Sequence, residues 1–347
     1  MNENDLYQYL YQLNIQHGLD LNKYCLYINN NEQKEENEKN NENKNTISLM
    51  TFNIMRDDRV NQIPHLSWKS REERIIKIIQ DANPDILCLQ ECRDLPNEKI
   101  ENFLNKLKSN QYNYFIHSNK SKSRLKLATL WKYEKFHFIF GKTYFLNENV
   151  EKKYLEKRPL GLLVLKPANN INQNNNPYLF IYNSHFGHDK EEKDITVKLV
   201  PEMINYHIEE FLKQFIYSKK PNISYLLMAD TNFFLLQNGQ EQLKILCEQH
   251  PTIKFQHLTE NSICIYKNEN YKNMKGTFLG SSIDKFKPDK GEIGNELDVI
   301  LGSKDIKLIK SFYWNKTMLK QEPENILFET DIFPSDHIPV LIYITLL

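Results

Sequence analysis

Residues 225–233 read YLLMADTNF, an apolar run that stops on a carboxylate and an amide, Asp230 and Asn232. A short apolar run closed by turn-forming residues has the length and composition of a buried strand. Its polar end matters most, because α/β proteins gather ligand sites where strand ends and loops converge. Working outward, the same pattern returns five more times. Asn53 closes LMTFNI, Glu91 follows DILCLQ, His185 ends LFIYNSH, Asp298 sits in NELDVIL, and Asp336-His337 precedes the strand-like IPVLIYI.

Each position has a plainer explanation. An aspartate or asparagine after a strand is commonly a turn residue whose side chain hydrogen-bonds its own backbone. Glu91 resists that explanation, since glutamate is a poor turn former. Asp336-His337 is an acid–base pair at a strand entrance, although an isolated histidine is more often structural. The weight lies in the whole ordered set.

The intervening sequence supplies the layers. Ile47–Ile54 reads as a strand, and Ser70 with Glu73 fits a capping box opening a helix with Ile75, Ile76 and Ile79 on one face. Asn83-Pro84 ends that helix, and Ile86–Gln90 is a short buried strand. Further strands are expected at Leu125–Lys132, Phe136–Phe140, Leu160–Lys166, Tyr178–Ser184, Ser224–Ala229, Leu297–Leu301 and Ile338–Leu346. A long helix fits Ile195–Tyr217. Many strands with few helices, in mixed order, imply an α/β fold of sheets packed face to face with helices outside. Upstream, Leu6, Leu10 and Leu13 have helical spacing within residues 1–28, giving a short helix. Residues 29–45 hold only Asn, Glu, Lys and Gln; they can bury nothing and should be disordered. The chain therefore divides into an extension, 1–45, and one large domain, 46–347.

The bulk numbers narrow the function classes. With 45 basic and 45 acidic residues the net charge is zero, which gives no support to a tight, non-specific grip on nucleic acid. Cys25, Cys88, Cys92, Cys247 and Cys264 are scattered, with no two pairs at zinc spacing, so a thiolate metal site is not expected. Neither a basic flank with an apolar stretch nor a run long enough for a membrane span is visible. The expectation is an intracellular protein, cytoplasmic or nuclear.

Taken in order, TFNI at Asn53, LQE at Glu91, NSHF at His185, ADTN at Asp230 and Asn232, LDVI at Asp298 and SDHIPV at Asp336 and His337 carry a resemblance. They resemble the motif series of the endonuclease/exonuclease/phosphatase superfamily. The match spans about residues 47–346, and six motifs in order are far more specific than any one. Trp68, Arg71 and Arg74 in W-x-x-R-x-x-R, together with His188 and GTFLG at 276–280, are similar to a less characterised branch. ADTN and FPSDH instead resemble tyrosyl-DNA phosphodiesterases, so the branch stays open.

The resemblance implies a four-layer α/β sandwich, two mixed β-sheets packed face to face with helices outside. It also implies a hydrolase of phosphoester bonds, phosphodiesters foremost, using Mg2+ with Mn2+ as a substitute. Its partner is a phosphoester substrate, nucleic acid included. By resemblance, Asn53, Glu91 and Asp336 hold the metal directly or through water. Asp230 orients or deprotonates the attacking water, Asn232 and His185 hold the phosphate, and Asp298 fixes the tautomer of His337. Met55 occupies a position where some relatives carry an acidic second ligand, which favours a single cation. Arg56 and Arg158 are either phosphate contacts or surface arginines. Two further readings stay open: an enzyme for small phosphoesters or lipid head groups, and an inactive relative serving as a binding module.

A chain beginning at Thr46 should keep its activity and a thermal midpoint within about 3 °C of the full-length protein. A much larger fall in the scanned midpoint would show that the extension packs on the domain.

Overall fold

The computed structural model describes residues 46–55, 67–92, 97–108, 111–118, 126–146, 158–168, 177–215, 220–235, 239–260, 262–264, 277, 296–313 and 335–347. The expected N-terminal helix, the polar stretches 29–45 and 169–176, and Arg56 lie outside the described residues. In chain order the elements are β1 (Ile47–Asn53), α1 (Trp68–Ala82), β2 (Ile86–Gln90), α2 (Asn97–Lys108), β3 (Tyr112–His117) and β4 (Leu127–Lys132). There follow β5 (Phe136–Phe145), β6 (Pro159–Pro167), β7 (Tyr178–His185), α3 (Lys190–Lys213), β8 (Ile223–Asp230) and α4 (Gln240–Glu248). The remainder is β9 (Gln256–His257), β10 (Ile263–Cys264), β11 (Asp298–Gly302), β12 (Ile306–Tyr313) and β13 (Val340–Leu346).

Helix α1 opens at Trp68, a position earlier than a capping box at Ser70 allows. Packing fixes its first turn: the Trp68 ring stands edge-on to Phe103 of α2, with centroids 5.2 Å apart. Its buried face is Arg71, Ile75, Ile78, Ile79 and Ala82, and Ile76 falls to the flank. Asn83 ends the helix in the left-handed region, φ 46°, with its N–H on Ile79 O. Helix α3 begins at Lys190, ahead of the expected Ile195, where Glu191 and Glu192 favour the positive end of a helix dipole.

Among the described residues the strands form two mixed sheets, in the orders β10-β12-β13-β1-β2-β4-β3 and β5-β6-β7-β8-β11-β9. Each sheet has a parallel pair near its centre, β1 with β2 and β7 with β8. Parallel neighbours end at the same edge, so Asn53 lies in register with Gln90, and His185 with Asp230. Strand β11 runs antiparallel to β8 and starts where β8 stops, pairing Asp298 with Asp230.

Successive side chains point to opposite faces of a strand. Leu179, Ile181, Leu226, Met228 and Ile300 therefore join the core that includes Leu49, Cys88 and Leu341 of the other sheet. Phe180, Tyr182, Leu227 and Ala229 pack instead with Val197, Val200 and Ile204 of α3. The layers are helix, sheet, sheet, helix. The same alternation puts Asn183, His185, Asp230 and Asp298 on the inward face.

A polar seam runs through the core between the sheets. Gln90 Nε2 donates to Asn183 Oδ1 at 2.9 Å and to Thr51 Oγ1 at 3.0 Å. Asn183 Nδ2 donates to Ala128 O at 3.0 Å and lies 3.3 Å from both Leu89 O and Thr129 Oγ1. Thr129 in turn meets His117 Nε2 at 3.0 Å. Burial pushes the His117 imidazole down to about 3, only partly opposed by a hydrogen bond to the backbone of Lys142, so it is neutral. Strand β6 passes it at Gly161, where a Cβ would come within 2.4 Å of the ring.

Leaving a buried polar group without its partner costs about 1–3 kcal/mol. Asn183→Leu should therefore lower the unfolding free energy by about 2–4 kcal/mol, since several partners lose it at once. In urea titrations, adding Gln90→Leu should cost less than its single-mutant value, because the two side chains share one network. Strictly additive losses would separate them.

Candidate functional site

Asn53 and Asp230 end strands in different sheets, yet turn the chain in the same way. Asn53 Oδ1 accepts the Met55 N–H at 3.0 Å, and Asp230 Oδ1 accepts the Asn232 N–H at 3.1 Å. The residue two positions on is left-handed in both cases, with φ 56° at Met55 and 55° at Asn232. Glu91, directly after β2, also has φ 56°. Asparagine tolerates that region; for methionine and glutamate it costs on the order of 1–2 kcal/mol each. Each turn uses one terminal atom of its side chain and frees the other for the site.

Those freed atoms meet between the sheets. Asn53 Nδ2 donates to Asp230 Oδ2 at 2.8 Å. The same oxygen lies 3.4 Å from His185 Nε2 and 3.7 Å from His337 Nε2. His337 Nδ1 is 2.7 Å from Asp298 Oδ2, the contact expected from the resemblance. Glu91 Oε1 lies 3.9 Å from His185 Nε2. Asp336, beside His337 in sequence, is half-buried. Asn232 Nδ2 donates to Phe186 O at 3.0 Å, tying the loop after β7 to the loop after β8. Six of the expected residues, Asn53, His185, Asp230, Asn232, Asp298 and His337, thus form one buried cluster, with Glu91 and Asp336 at its margin.

Two hydroxyls brace the cluster that sequence reasoning left without a role. Ser335 Oγ donates to Asn53 O at 2.7 Å and accepts the His337 N–H at 3.2 Å. Thr277 Oγ1 accepts the N–H groups of Leu297 and Asp298 at 3.1 and 3.0 Å. Their motifs, SDH and GTFLG, carried the only signal. Arg158 is buried, paired with Glu192 at 3.4 Å, and is not a surface arginine. Lys193 lies over the Phe234 ring at 5.2 Å and is close enough to feel the charge of Asp230.

The two histidines carry opposite charge preferences. For His185, burial pushes the imidazole down to about 4, against the pull of Asp230 and Glu91. For His337, burial also opposes the charge. The carboxylates of Asp298 and Asp230, the hydrogen bond to Asp298, and Asp336 outweigh it and raise the pKa well above 6.5. Around neutral pH the cluster holds one neutral imidazole and one imidazolium.

Donor atoms of Asp230, Asp298 and His337 all lie within 4.8 Å of one another, close enough for a metal ion. The Asp298–His337 hydrogen bond and the raised pKa suit that trio better to a proton. Oxygen donors of the remaining acidic and amide residues suit a hard divalent cation. Both ring nitrogens of His185 and Asp298 Oδ1 are buried without a hydrogen-bond partner among the described residues, as in a site built to receive a ligand.

Comparisons with known proteins agree with this geometry. The family model described as the Endonuclease/Exonuclease/phosphatase family matches residues 50–181. A protein of Acanthamoeba polyphaga mimivirus is 22% identical over 173 residues, 46% of this chain. The match spans 61% of the length of that curated relative. The structure of an endonuclease/exonuclease/phosphatase from Bacteroides vulgatus is similar with a TM-score of 0.60 at 15% identity, covering 88% of this chain and 100% of that one. The structure of ANGEL2, a 2',3'-cyclic phosphatase in complex with adenosine-2',3'-vanadate, is similar with a TM-score of 0.60 at 17% identity, covering 88% and 96%. The two mixed sheets in a four-layer sandwich are shared with these solved structures. The fold is that of these solved structures, and the family likeness extends over residues 50–181.

Asp298→Asn should lower the His337 pKa, read from the imidazole Cε1 proton by NMR, because the largest favourable charge is removed. The stability linkage has opposite signs at the two histidines. His337 contributes stability that is complete below pH 6.5 and lost as the pH rises through its raised folded pKa. The contribution from neutral His185 is complete above pH 6.5 and lost as the pH falls towards about 4. An unchanged His337 titration in the variant would remove Asp298 from its control.

Proposed function

We propose that this chain is a magnesium-dependent phosphodiesterase that directs water onto phosphorus, with nucleotide phosphodiesters as its substrate class. The observation that carries this reading is the His337 imidazolium held between Asp298 and Asp230, with Asn53 on the same Asp230 oxygen. Such an arrangement places a fixed positive charge and a proton acceptor side by side, which phosphoester hydrolysis requires. Support for a nucleotide comes from the similar structure that carries adenosine-2',3'-vanadate. The zero net charge favours a substrate engaged at one phosphate over one gripped along its backbone.

Glu91, Asn53 and Asp336 are the residues that would hold magnesium, with manganese as a substitute. An ion held there would supply positive charge to the phosphoryl oxygens. Asp230 orients the attacking water and accepts its proton as the new P–O bond forms. The bond to the leaving oxygen breaks, and that oxygen takes a proton from solvent. His337, held by Asp298, places an N–H against the phosphoryl charge that develops during attack. His185, neutral above about pH 4, gives its N–H to a phosphoryl oxygen without adding a second cation. Asn232 keeps one amide N–H for the phosphate while the other holds Phe186 O.

Balanced charge also fits a small phosphoester or a lipid head group, so the assay carries those arms. Purified protein with magnesium should cleave nucleotide cyclic phosphates or short oligonucleotides faster than inositol phosphates, sugar phosphates or sphingomyelin. The reverse ranking would replace the substrate class, and inactivity on every arm would favour a binding module.

Glu91→Gln should reduce turnover by at least about a hundredfold at limiting magnesium, with an unchanged thermal midpoint, since it removes charge without changing volume. His337→Ala should cost about a thousandfold or more. Adding Asp298→Asn should cost little beyond that, as expected of groups acting as a unit. Wild-type turnover in Glu91→Gln would take that residue out of the site.

A further inference from the structure

Arg71 is the bulkiest of the fully buried side chains, with 0% exposure. A buried guanidinium is costly unless its N–H groups are bonded. Two of the Arg71 N–H groups reach backbone carbonyls: Nη1 donates to Ile54 O at 2.7 Å and Nη2 to Met55 O at 3.0 Å. Its guanidinium carbon lies 5.6 Å from the centre of the Trp68 ring. The two carbonyls belong to the turn by which the chain leaves β1, immediately after Asn53. Met55 in that turn has φ 56°, a conformation that methionine does not hold unaided. Its N–H in turn occupies Asn53 Oδ1, which leaves Asn53 Nδ2 to face Asp230.

We propose that Arg71 is a positioning residue of the site: a buried clamp that holds the left-handed Met55 turn and so orients the Asn53 amide toward Asp230. Arginine suits this task because its planar fork reaches two neighbouring carbonyls at once, which a lysine ammonium does not match. The role deepens the hydrolase reading and rests on it only for its kinetic consequence. The contacts themselves stand apart from any substrate.

The test compares Arg71→Lys with Ile78→Ala, a change to a buried residue of the same helix about two turns further along. Three quantities are measured on each full-length variant: kcat and KM separately, hydrogen exchange of the Met55 amide, and the NMR shifts of the Asn53 side-chain NH2. Arg71→Lys should lower kcat about tenfold with KM within about twofold, speed Met55 exchange and move the Asn53 signals. Ile78→Ala should lower the thermal midpoint while leaving the other readouts near wild type. Unchanged Asn53 signals and Met55 exchange in Arg71→Lys would overturn the proposal, as would equal losses in both variants. Wild-type inactivity on every substrate would sink the hydrolase reading alone, leaving the exchange and NMR results to decide the clamp. Should Arg71→Lys fail to fold, the same change is made with Met55→Gly, since glycine holds a positive φ without strain. The clamp requires the double variant to fold. A double variant as unfolded as the single one would assign Arg71 to helix packing and overturn the proposal.

Discussion

Gln90 Nε2 donates a hydrogen bond to Asn183 Oδ1 at 2.9 Å across the gap between two sheets whose facing side chains are largely apolar. Apolar contacts have no direction, and two such faces could slide over one another by a residue with little change in buried area. The amide pair removes that freedom, because any other register would leave several buried polar atoms without partners. Gln90 is the residue before Glu91, and Asn183 lies two before His185. The bond that aligns the sheets therefore also fixes the offset between those site residues. Polar groups in a core are costly, and here their placement next to the cluster gives them a reason.

At the strand ends, the structural and functional explanations turn out to be one. Asn53 and Asp230 do make the side-chain turns that their position after a strand suggests. Each makes its turn with one terminal atom and presents the other to the partner sheet. The left-handed residues that follow, Met55 and Asn232, swing the chain away so that the presented atoms are not covered. The resulting field is asymmetric. Burial dominates at His185, and two carboxylates dominate at His337.

Much of this was legible in the order of residues. Period-two alternation explains why Asn183, His185, Asp230 and Asp298 share a face, and the apolar runs locate β2, β7 and β8 to within a residue. The less legible parts depend on distant neighbours. Helix α1 opens at Trp68 because Phe103 lies there to pack against, which outweighs the local Ser/Glu pattern. Arg71 stands out in the sequence only as part of W-x-x-R-x-x-R, and its role is visible once Ile54 and Met55 are seen to supply acceptors. Thr277 and Ser335 carry no mark of their bracing roles, because their partners lie far along the chain. Helices α2 and α4 and strands β3 and β12 are not among the elements expected from the sequence, although β3 ends on His117.

Strand β13 is the last of the described strands, yet it lies inside its sheet, between β12 and β1, and His337 leads directly into it. On a ribosome, β1 waits for that neighbour while everything in between is synthesised. Domains fold as units as they emerge, and this one cannot close its first sheet until the residues of β13 have cleared the exit tunnel. The nascent polypeptide thus carries Asn53, Glu91, Asp230 and Asp298 with no imidazolium to unite them. The sheet is completed in a single step with the insertion of one strand, so a chain truncated just before it would expose the long edge of β1 to aggregation.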